Sequence, residues 1–186
     1  DGAHYAPVAV QDNLDVSAPT LDQNFNLLFV RLLDRDVMLA RTDLRVADLK
    51  ISNLQQQTFS TVLSFSTPVL GSITIPRGWI STDAKVRGKT FRFITTHLEV
   101  FNPLVQVAQA SELIEGPANT SMPVVMTGDF NSDANRGGGP DTTATYPELI
   151  AAGFQDAWSL ANPGIAGNTC CQAEKLDNSL SQLYER

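Results

Sequence analysis

The chain has 186 residues, of which 42% are hydrophobic and 18% charged, and this composition is typical of one globular domain with a real core. It excludes an intrinsically disordered chain. Lys and Arg number 13 against 20 Asp and Glu, so the net charge of -7 argues against binding to extended DNA.

The first part of the chain predicts strands joined by loops. Tyr5–Val10 has the pattern of a short strand, and 12–19 reads as a surface loop. The apolar run within Leu21–Ala40 is compatible with a strand or a buried helical turn, although Val37–Ala40 favours a strand. Asp34-Arg35-Asp36 precedes that strand, and a solvated local ion pair is favoured there over a catalytic group.

Further strands are indicated in the middle of the chain. We expect one strand over Thr58–Phe65. Ile73–Ile80 contains Pro and Gly, which predicts an edge strand, a bulge or a bend. Asp83–Thr96 is typical of a hairpin, and Gly88 would supply the positive φ of its turn.

Two apolar strands then flank one helix. Phe91–Thr96 and Pro123–Thr127 are β-branched and aromatic runs typical of buried strands. Between them, Pro103–Glu115 has helical spacing of its apolar residues, and Gly116-Pro117 would end the helix. If the strands are neighbours, the crossover is expected to be right-handed, with both strand ends at one edge of the sheet.

Polar residues follow both strands. His97 and Glu99 come after the first, and Asp129 and Asn131 after the second. A carboxylate and an amide on alternate residues of a strand point the same way, so Asp129 could take a proton while Asn131 holds the same water. The alternative is a turn in which Asp129 bonds backbone amides, but pairing with His97 favours function. Glu99 either orients the His97 ring or faces solvent.

The last part of the chain predicts a loop and a short helix. Residues 132–145 are rich in Gly, Asp, Asn and Thr. Within them Asp133 and Arg136 lie near enough to touch a substrate, although loop residues of this type are more often just solvated. Thr145 is a candidate cap for a helix that ends at Gly153. Cys170 and Cys171 are adjacent, so a bond between them would be strained and two reduced thiols are favoured.

Two motifs, Thr96-His97-Leu98 and Gly128-Asp129-Phe130-Asn131, stand in this order around the single helix. In this arrangement the chain resembles the endonuclease/exonuclease/phosphatase superfamily, which includes deoxyribonuclease-like, sphingomyelinase-like and inositol-phosphatase-like enzymes. The predicted hairpin before the first motif and residues 153–158 after the second are also similar to that family. The resemblance covers the C-terminal half of the chain well and the N-terminal half loosely.

The resemblance implies an α/β (α+β) fold, a four-layered sandwich of two mainly antiparallel β-sheets flanked by helices, here as one incomplete domain over 1–186. It implies hydrolysis of a phosphodiester or phosphomonoester by in-line attack of water, with Mg²⁺ or another divalent metal such as Mn²⁺. His97 then inherits the role of donor to the scissile phosphate. By the same resemblance, Asp129 would activate the attacking water and bind the metal, and Asn131 would hold the water and a phosphate oxygen by hydrogen bonds. Arg136 is a further candidate for substrate binding.

Two features of the family have no counterpart in the sequence. Family members carry an early Asn and a Gln-Glu pair whose Glu binds the metal, and Asp1–Ala40 supplies no counterpart of that pair. They also carry a late Ser-Asp-His, which does not occur before Arg186. We therefore expect an interior segment of a larger enzyme, weakly active or inactive alone, that self-associates through exposed sheet edges. The alternative is a non-catalytic binding module that keeps the sandwich.

Substrate and compartment stay open at this point. A small phosphoester, a phospholipid head group and a nucleotide all fit the negative net charge, and Arg77, Arg87, Lys89 and Arg92 could form a local basic strip. No run is apolar and long enough to cross a bilayer, and Asp1–His4 has no signal-peptide character. A mature secreted protein would also lack its signal, and a secreted or periplasmic location is favoured over a cytoplasmic one.

Overall fold

A computed structural model describes residues 2–67, 71–167 and 169, so the two cysteines lie outside the described residues. Among these residues, seven strands precede the first helix, and an eighth strand stands between that helix and two further short helices. The strands are β1 (Tyr5–Leu21), β2 (Leu27–Arg41), β3 (Leu49–Thr58), β4 (Leu63–Thr67), β5 (Gly71–Ile75), β6 (Gly78–Val86), β7 (Lys89–His97) and β8 (Val124–Asp129). The helices are α1 (Pro103–Glu115), α2 (Thr145–Ala151) and α3 (Ala157–Ala161).

The central sheet has the strand order β3-β6-β7-β8. β6 and β7 form the predicted antiparallel hairpin, with Arg87 at φ 48° and Gly88 at φ 87° in its two-residue turn. Two positive φ values give this turn the twist that matches the flanking strands. β8 pairs in parallel with β7 after the crossover through α1, which confirms that the two strands are neighbours.

Helix α1 begins and ends as its sequence predicts. The Asn102 side chain accepts hydrogen bonds from the amides of Leu104 and Val105, at 3.0 and 3.3 Å, and Pro103 occupies the first turn, where no donor is needed. Its inward face contributes to one hydrophobic core with β6, β7 and the loops beside them. The buried members are Phe59, Trp79, Ile94, Leu98, Ala110 and Leu113.

The N-terminal strands form a long antiparallel hairpin that covers the other face of the central sheet. A second core joins Ala9 and Met38 of this hairpin to Ile80, with Phe93 packed against it. Alternation along a strand explains the two cores, because Ile94 faces α1 while its neighbour Phe93 faces the hairpin. The described residues thus form α1, the central sheet and the β1-β2 sheet as successive layers, and the predicted sandwich class is confirmed.

Two predictions about the first half of the chain are wrong. Residues 12–19 are not a loop but belong to β1, because all of them except Asn13, which lies at a register shift, pair with β2. Arg31 and Arg35 bridge to Asp15 and Asp12 across the strands. These cross-strand ion pairs offset the poor strand propensity of the acidic residues. The open choice for the run within Leu21–Ala40 is settled as a strand.

The predicted strand over Thr58–Phe65 is also wrong, because β3 ends at Thr58 and β4 begins at Leu63. Phe59 turns into the core, and Glu112 of α1 accepts the amides of Ser60 and Thr61, both at 2.8 Å. These helix contacts satisfy backbone donors that a strand would have paired. The bend expected before Gly78 is present, since β5 ends at Ile75 and β6 begins at Gly78.

Helix α2 begins one residue earlier than predicted. Thr145 is the first helical residue rather than the cap, and no side chain caps the helix at Ala144. The buried Thr145 hydroxyl instead donates to Gln106 of α1 at 2.8 Å, which ties the two helices together. Gly153 follows the helix at φ 97°, as a C-terminal glycine does. Within the described ranges, no helix is long and apolar enough to cross a membrane.

Candidate active site

The ends of β7 and β8 bring the two sequence motifs together. His97 and Asp129 are register partners in the parallel pair, and His97 Nε2 lies 3.7 Å from Asp129 Oδ2. Gly128, at φ 141°, makes this approach possible, because a Cβ there would lie 1.9 Å from the carbonyl oxygen of Thr96. An imidazole and a carboxylate therefore share one edge of the sheet.

Asp129 uses its two carboxylate oxygens differently. Oδ1 accepts the backbone amide of Asn131 at 2.9 Å, which is the turn geometry considered from the sequence. Oδ2 faces His97, and the side chain is 64% exposed. The turn and the functional interpretation are thus compatible, because one oxygen fixes the loop while the other stays accessible to solvent.

Asn131 does not continue the strand, so the argument from strand alternation is wrong. β8 ends at Asp129, and Asn131 lies in the left-handed region at φ 49°. Its side-chain nitrogen donates to the Leu98 carbonyl at 2.9 Å, while its own carbonyl accepts from Gln106 at 2.6 Å. These contacts connect the loop after β8 to the end of β7 and to α1.

Glu99 follows neither of the two alternatives predicted for it. The residue is fully buried, and its Oε1 accepts the amides of Val100 and Phe101 at 2.9 and 2.7 Å. Its backbone amide donates to Gln109 of α1 at 2.8 Å. Glu99 therefore shapes the turn from β7 into α1 and does not orient the His97 ring.

The loop after β8 is held by its own polar groups. Asp133 is buried and accepts the amides of Asn135 and Gly137, so it is not a solvated loop residue. Arg136 is exposed, at φ 55°, and its guanidinium lies 3.4 Å from the Thr143 carbonyl. The structure therefore does not join Arg136 to the His97-Asp129 pair through any hydrogen bond among the described residues.

A second group of charged residues surrounds His97 and was not assigned to the site from the sequence. Arg77 is buried, donates to Asp34, and places its Nη1 3.0 Å from His97 Nδ1. Asp36, on the same face of β2 as Asp34, accepts from Asn13 at 2.9 Å. Burial raises the pKa of Asp36, and the hydrogen bond from Asn13 opposes that rise.

The interpretation of Asp34-Arg35-Asp36 as a local ion pair is consequently wrong. Arg35 pairs across the hairpin with Asp12, while Asp34 binds an arginine 43 residues away in the sequence. The sequence signal was present in part, since two acids precede a strand at alternate positions. Nothing in the local pattern indicates which distant cation they meet.

The four basic residues considered as a strip are separated by their partners. Arg77 binds Asp34, and Arg92 donates to Asp83 at 2.8 Å. Arg87 and Lys89 lie apart from both, at the exposed turn between β6 and β7. No continuous basic surface therefore joins these four side chains.

A cavity of about 860 Å³ adjoins the other side of the β8 end. Its polar lining includes Asp129, Asn131, Ser132, Gln155 and Asp156. The apolar wall comes from β8 and the two short helices and includes Met126, Tyr146, Leu149, Ile150, Phe154 and Trp158. Asp129 therefore lies between this cavity and the cluster of charges around His97.

No protein-family model and no curated protein matches the sequence. Solved structures do show similarity in fold. An endonuclease/exonuclease/phosphatase family protein from Bacteroides thetaiotaomicron is 19% identical, with a TM-score of 0.45, over 63% of this chain and 40% of that one. The human Nocturnin catalytic domain with bound sulfate is 15% identical, with a TM-score of 0.48, over 83% and 53%. A mannosyl-6-phosphatase from Bacteroides thetaiotaomicron VPI-5482 is 21% identical, with a TM-score of 0.43, over 64% and 42%.

The chain spans about half the length of these structures or less. Because every TM-score lies below 0.5, the roles of individual residues rest on the geometry of this chain alone.

The described residues do not fit a complete magnesium site. Mg²⁺ needs several oxygen ligands in octahedral geometry, and no three His, Cys, Asp or Glu side chains converge for a metal in the described ranges. Asp129 supplies one accessible carboxylate, and the amide nitrogen of Asn131 already donates to Leu98. Further ligands would have to come from residues outside those described.

Proposed function

We propose that this chain forms the part of a phosphoesterase that binds and hydrolyses a phosphodiester or phosphomonoester by in-line attack of water. The observation that carries the proposal is the pairing of His97 with Asp129 across the ends of two parallel strands, with 3.7 Å between Nε2 and Oδ2. A general acid-base group and a hydrogen-bond donor at one sheet edge are the minimum that phosphoryl transfer to water needs.

The proposal assigns the side chains at this sheet edge the following roles. The His97 Nε2–H donates to a phosphate oxygen and stabilises the charge that develops on it. Asp129 Oδ2 orients the attacking water and takes its proton. Asn131, fixed by Leu98 and Gln106, sets the position of the Asp129 carboxylate through its backbone amide and borders the substrate at the cavity, and Arg136 would join as the substrate enters.

Metal dependence belongs to the same proposal. Asp129 would contribute one ligand to Mg²⁺ or Mn²⁺, which would supply charge neutralisation at the phosphate, and the remaining ligands would come from beyond the described residues. We accordingly expect this chain alone to be weakly active or inactive and a longer reading frame of the same gene to be active.

The net charge supports a compact substrate. At a net charge of -7, an extended polyanion would be repelled, whereas a small phosphoester, a phospholipid head group or a nucleotide presents one or two phosphates. The secreted or periplasmic location and the self-association through sheet edges expected from the sequence also remain part of this proposal.

The test is hydrolysis of bis-p-nitrophenyl phosphate and p-nitrophenyl phosphate, with and without Mg²⁺, by this chain and by the longer frame. Asp129→Asn and His97→Gln should each lower kcat about 10²- to 10³-fold in the active form. Glu115→Gln and His4→Gln are the matched controls, because both residues are exposed and neither belongs to the two motifs.

Three outcomes are informative. Loss in both site variants with unchanged controls supports the proposal. Equal activity of wild type and Asp129→Asn rejects the assignment of the site. Absence of hydrolysis and of a Mg²⁺-dependent thermal shift, in the chain and in the longer frame, favours the non-catalytic binding module instead.

A further inference from the structure

The side chain of Arg77 occupies an unusual position for an arginine. It is 9% exposed, lies between the central sheet and the β1-β2 hairpin, and donates through Nη1 to Asp34. Buried guanidinium groups are kept where their geometry is fixed by a carboxylate partner. Arg77 is therefore held in place from the hairpin side.

The same Nη1 atom lies 3.0 Å from Nδ1 of His97, within hydrogen-bond distance. A guanidinium group has donors only and keeps its proton throughout the physiological range. Nδ1 must then be the acceptor in this contact, which leaves Nε2 as the ring nitrogen that carries the proton.

The Nε2–H group of His97 remains available to donate to a further partner. Its distance of 3.7 Å to Asp129 Oδ2 exceeds that of a hydrogen bond, and no described residue accepts from it. The charged groups that face the ring from the packed elements are Asp34 and Asp36 of β2, Arg77 before β6 and Asp129 of β8. Among them, Arg77 alone can donate to the ring.

We propose that Arg77, anchored by Asp34, is a positioning residue that holds His97 as the Nε2–H tautomer and aims this group at the space beside Asp129. The catalytic meaning of this arrangement rests on the proposed phosphoesterase function. The tautomer itself follows from the contact between Arg77 and His97 and can be measured without any substrate.

The experiment uses long-range ¹H–¹⁵N correlation spectra of the imidazole nitrogens in the full chain at about pH 8.5, well above the ordinary His pKa. The chain has two histidines, and the exposed His4 serves as the internal reference for an imidazole in exchange between tautomers. A His4→Gln variant assigns the signals. In the wild type, His97 should show one tautomer, with an acceptor-type Nδ1 and a protonated Nε2.

Three variants alter the contact between Arg77 and His97 to different extents. In Arg77→Met, the His97 nitrogen shifts should move towards the averaged values of His4, and Arg77→Lys should retain part of the difference because it keeps a donor. Asp34→Asn should give an intermediate result, since Arg77 remains but loses its charged anchor. This variant also keeps the proposal testable if Arg77→Met does not fold, as judged by circular dichroism.

The outcomes separate this inference from the function it serves. Wild-type His97 shifts equal to those of His4, or a protonated Nδ1, would overturn it. So would a folded Arg77→Met chain in which the His97 shifts do not move. A single Nε2–H tautomer in a chain and longer frame that hydrolyse no phosphoester would uphold the positioning role while the proposed function fails.

Discussion

The central sheet under α1 and the β1-β2 hairpin both contain large apolar residues but bury them very differently. Ile80, Ile94, Leu98 and Leu113 around the sheet are fully buried. Along β2, by contrast, Leu28, Phe29, Val30 and Leu32 are between 46% and 72% exposed. Burial of apolar area is the main source of stability, so the sheet and α1 carry the fold and most of the hairpin adds little to it.

The hairpin contributes where it docks. Ala9 and Met38 pack on Ile80, and the same part of β2 provides Asp34 to Arg77 and thus to the surroundings of His97. The stable region therefore holds His97 and Asp129, while the weakly packed region supplies Asp34, which binds Arg77 beside His97. Variants in the two regions should separate loss of fold from loss of site geometry.

The largest effect is expected at the contact between β7 and β8. Gly128→Ala would place a methyl group 1.9 Å from the Thr96 carbonyl oxygen at a backbone φ of 141°. The positive φ alone costs about 1–3 kcal/mol, and the clash with backbone raises the loss in free energy of unfolding above about 4 kcal/mol. Urea unfolding followed by tryptophan fluorescence measures it.

The control for Gly128 is Gly88→Ala in the β6-β7 turn. Gly88 also has a positive φ, at 87°, but a Cβ there meets no atom within 4 Å. We expect a loss of about 1 kcal/mol, from backbone strain without a clash. Equal losses in the two variants would show that strand proximity is not what demands Gly128.

The second prediction compares core and hairpin directly. Leu113→Ala, at a fully buried position of α1, should lower the free energy of unfolding by about 3 kcal/mol through lost burial and a residual cavity. Leu32→Ala removes the same atoms from a side chain that is 56% exposed and should change it by less than about 0.5 kcal/mol. A comparable loss in Leu32→Ala would mean that another surface covers the hairpin.

The contrast between the two regions also explains what the sequence could predict. The β6-β7 hairpin, α1 and β8 have local signals, namely a turn glycine, a cap at Asn102 and a stop at Gly116, and their pairing follows from short connections. The β1-β2 hairpin lacks them, because its acidic residues imitate a loop until they meet arginines on the paired strand. Such contacts depend on the register in which two strands distant in the sequence pair, and a single sequence does not show that register.

The candidate site divides in the same way. His97 and Asp129 each follow a predicted strand, so their proximity was foreseeable from the strand-helix-strand order. Arg77 and Asp34 are 43 residues apart and meet only because two sheets stack. The position of Asn131 depends on a left-handed residue just past the strand end, where the two-residue alternation of strands no longer applies.

The smallest effect concerns ion pairs, again compared between the regions. The hydrogen bond from Arg92 holds the pKa of Asp83 below its usual value of 3.8, and both side chains are largely buried, at 12% and 16% exposed. A lowered pKa means that the folded state binds fewer protons than the unfolded state. The pair therefore stabilises above about pH 3.8 and loses this contribution as the pH falls through the lower folded value.

Asp83→Asn should accordingly reduce the free energy of unfolding by about 1 kcal/mol at neutral pH, and this difference from wild type should shrink as the pH falls below about 3.8. Its control is Asp15→Asn in the hairpin, where Arg31 also lowers the carboxyl pKa but both side chains are about half exposed or more. Solvent and salt screen that pair. The urea midpoints of Asp15→Asn and of the wild type should therefore coincide in about 0.5 M salt, where charges are screened more strongly than at physiological ionic strength. A pH-independent difference for Asp83→Asn would assign its effect to packing, because only an ionised carboxylate loses its contribution on protonation.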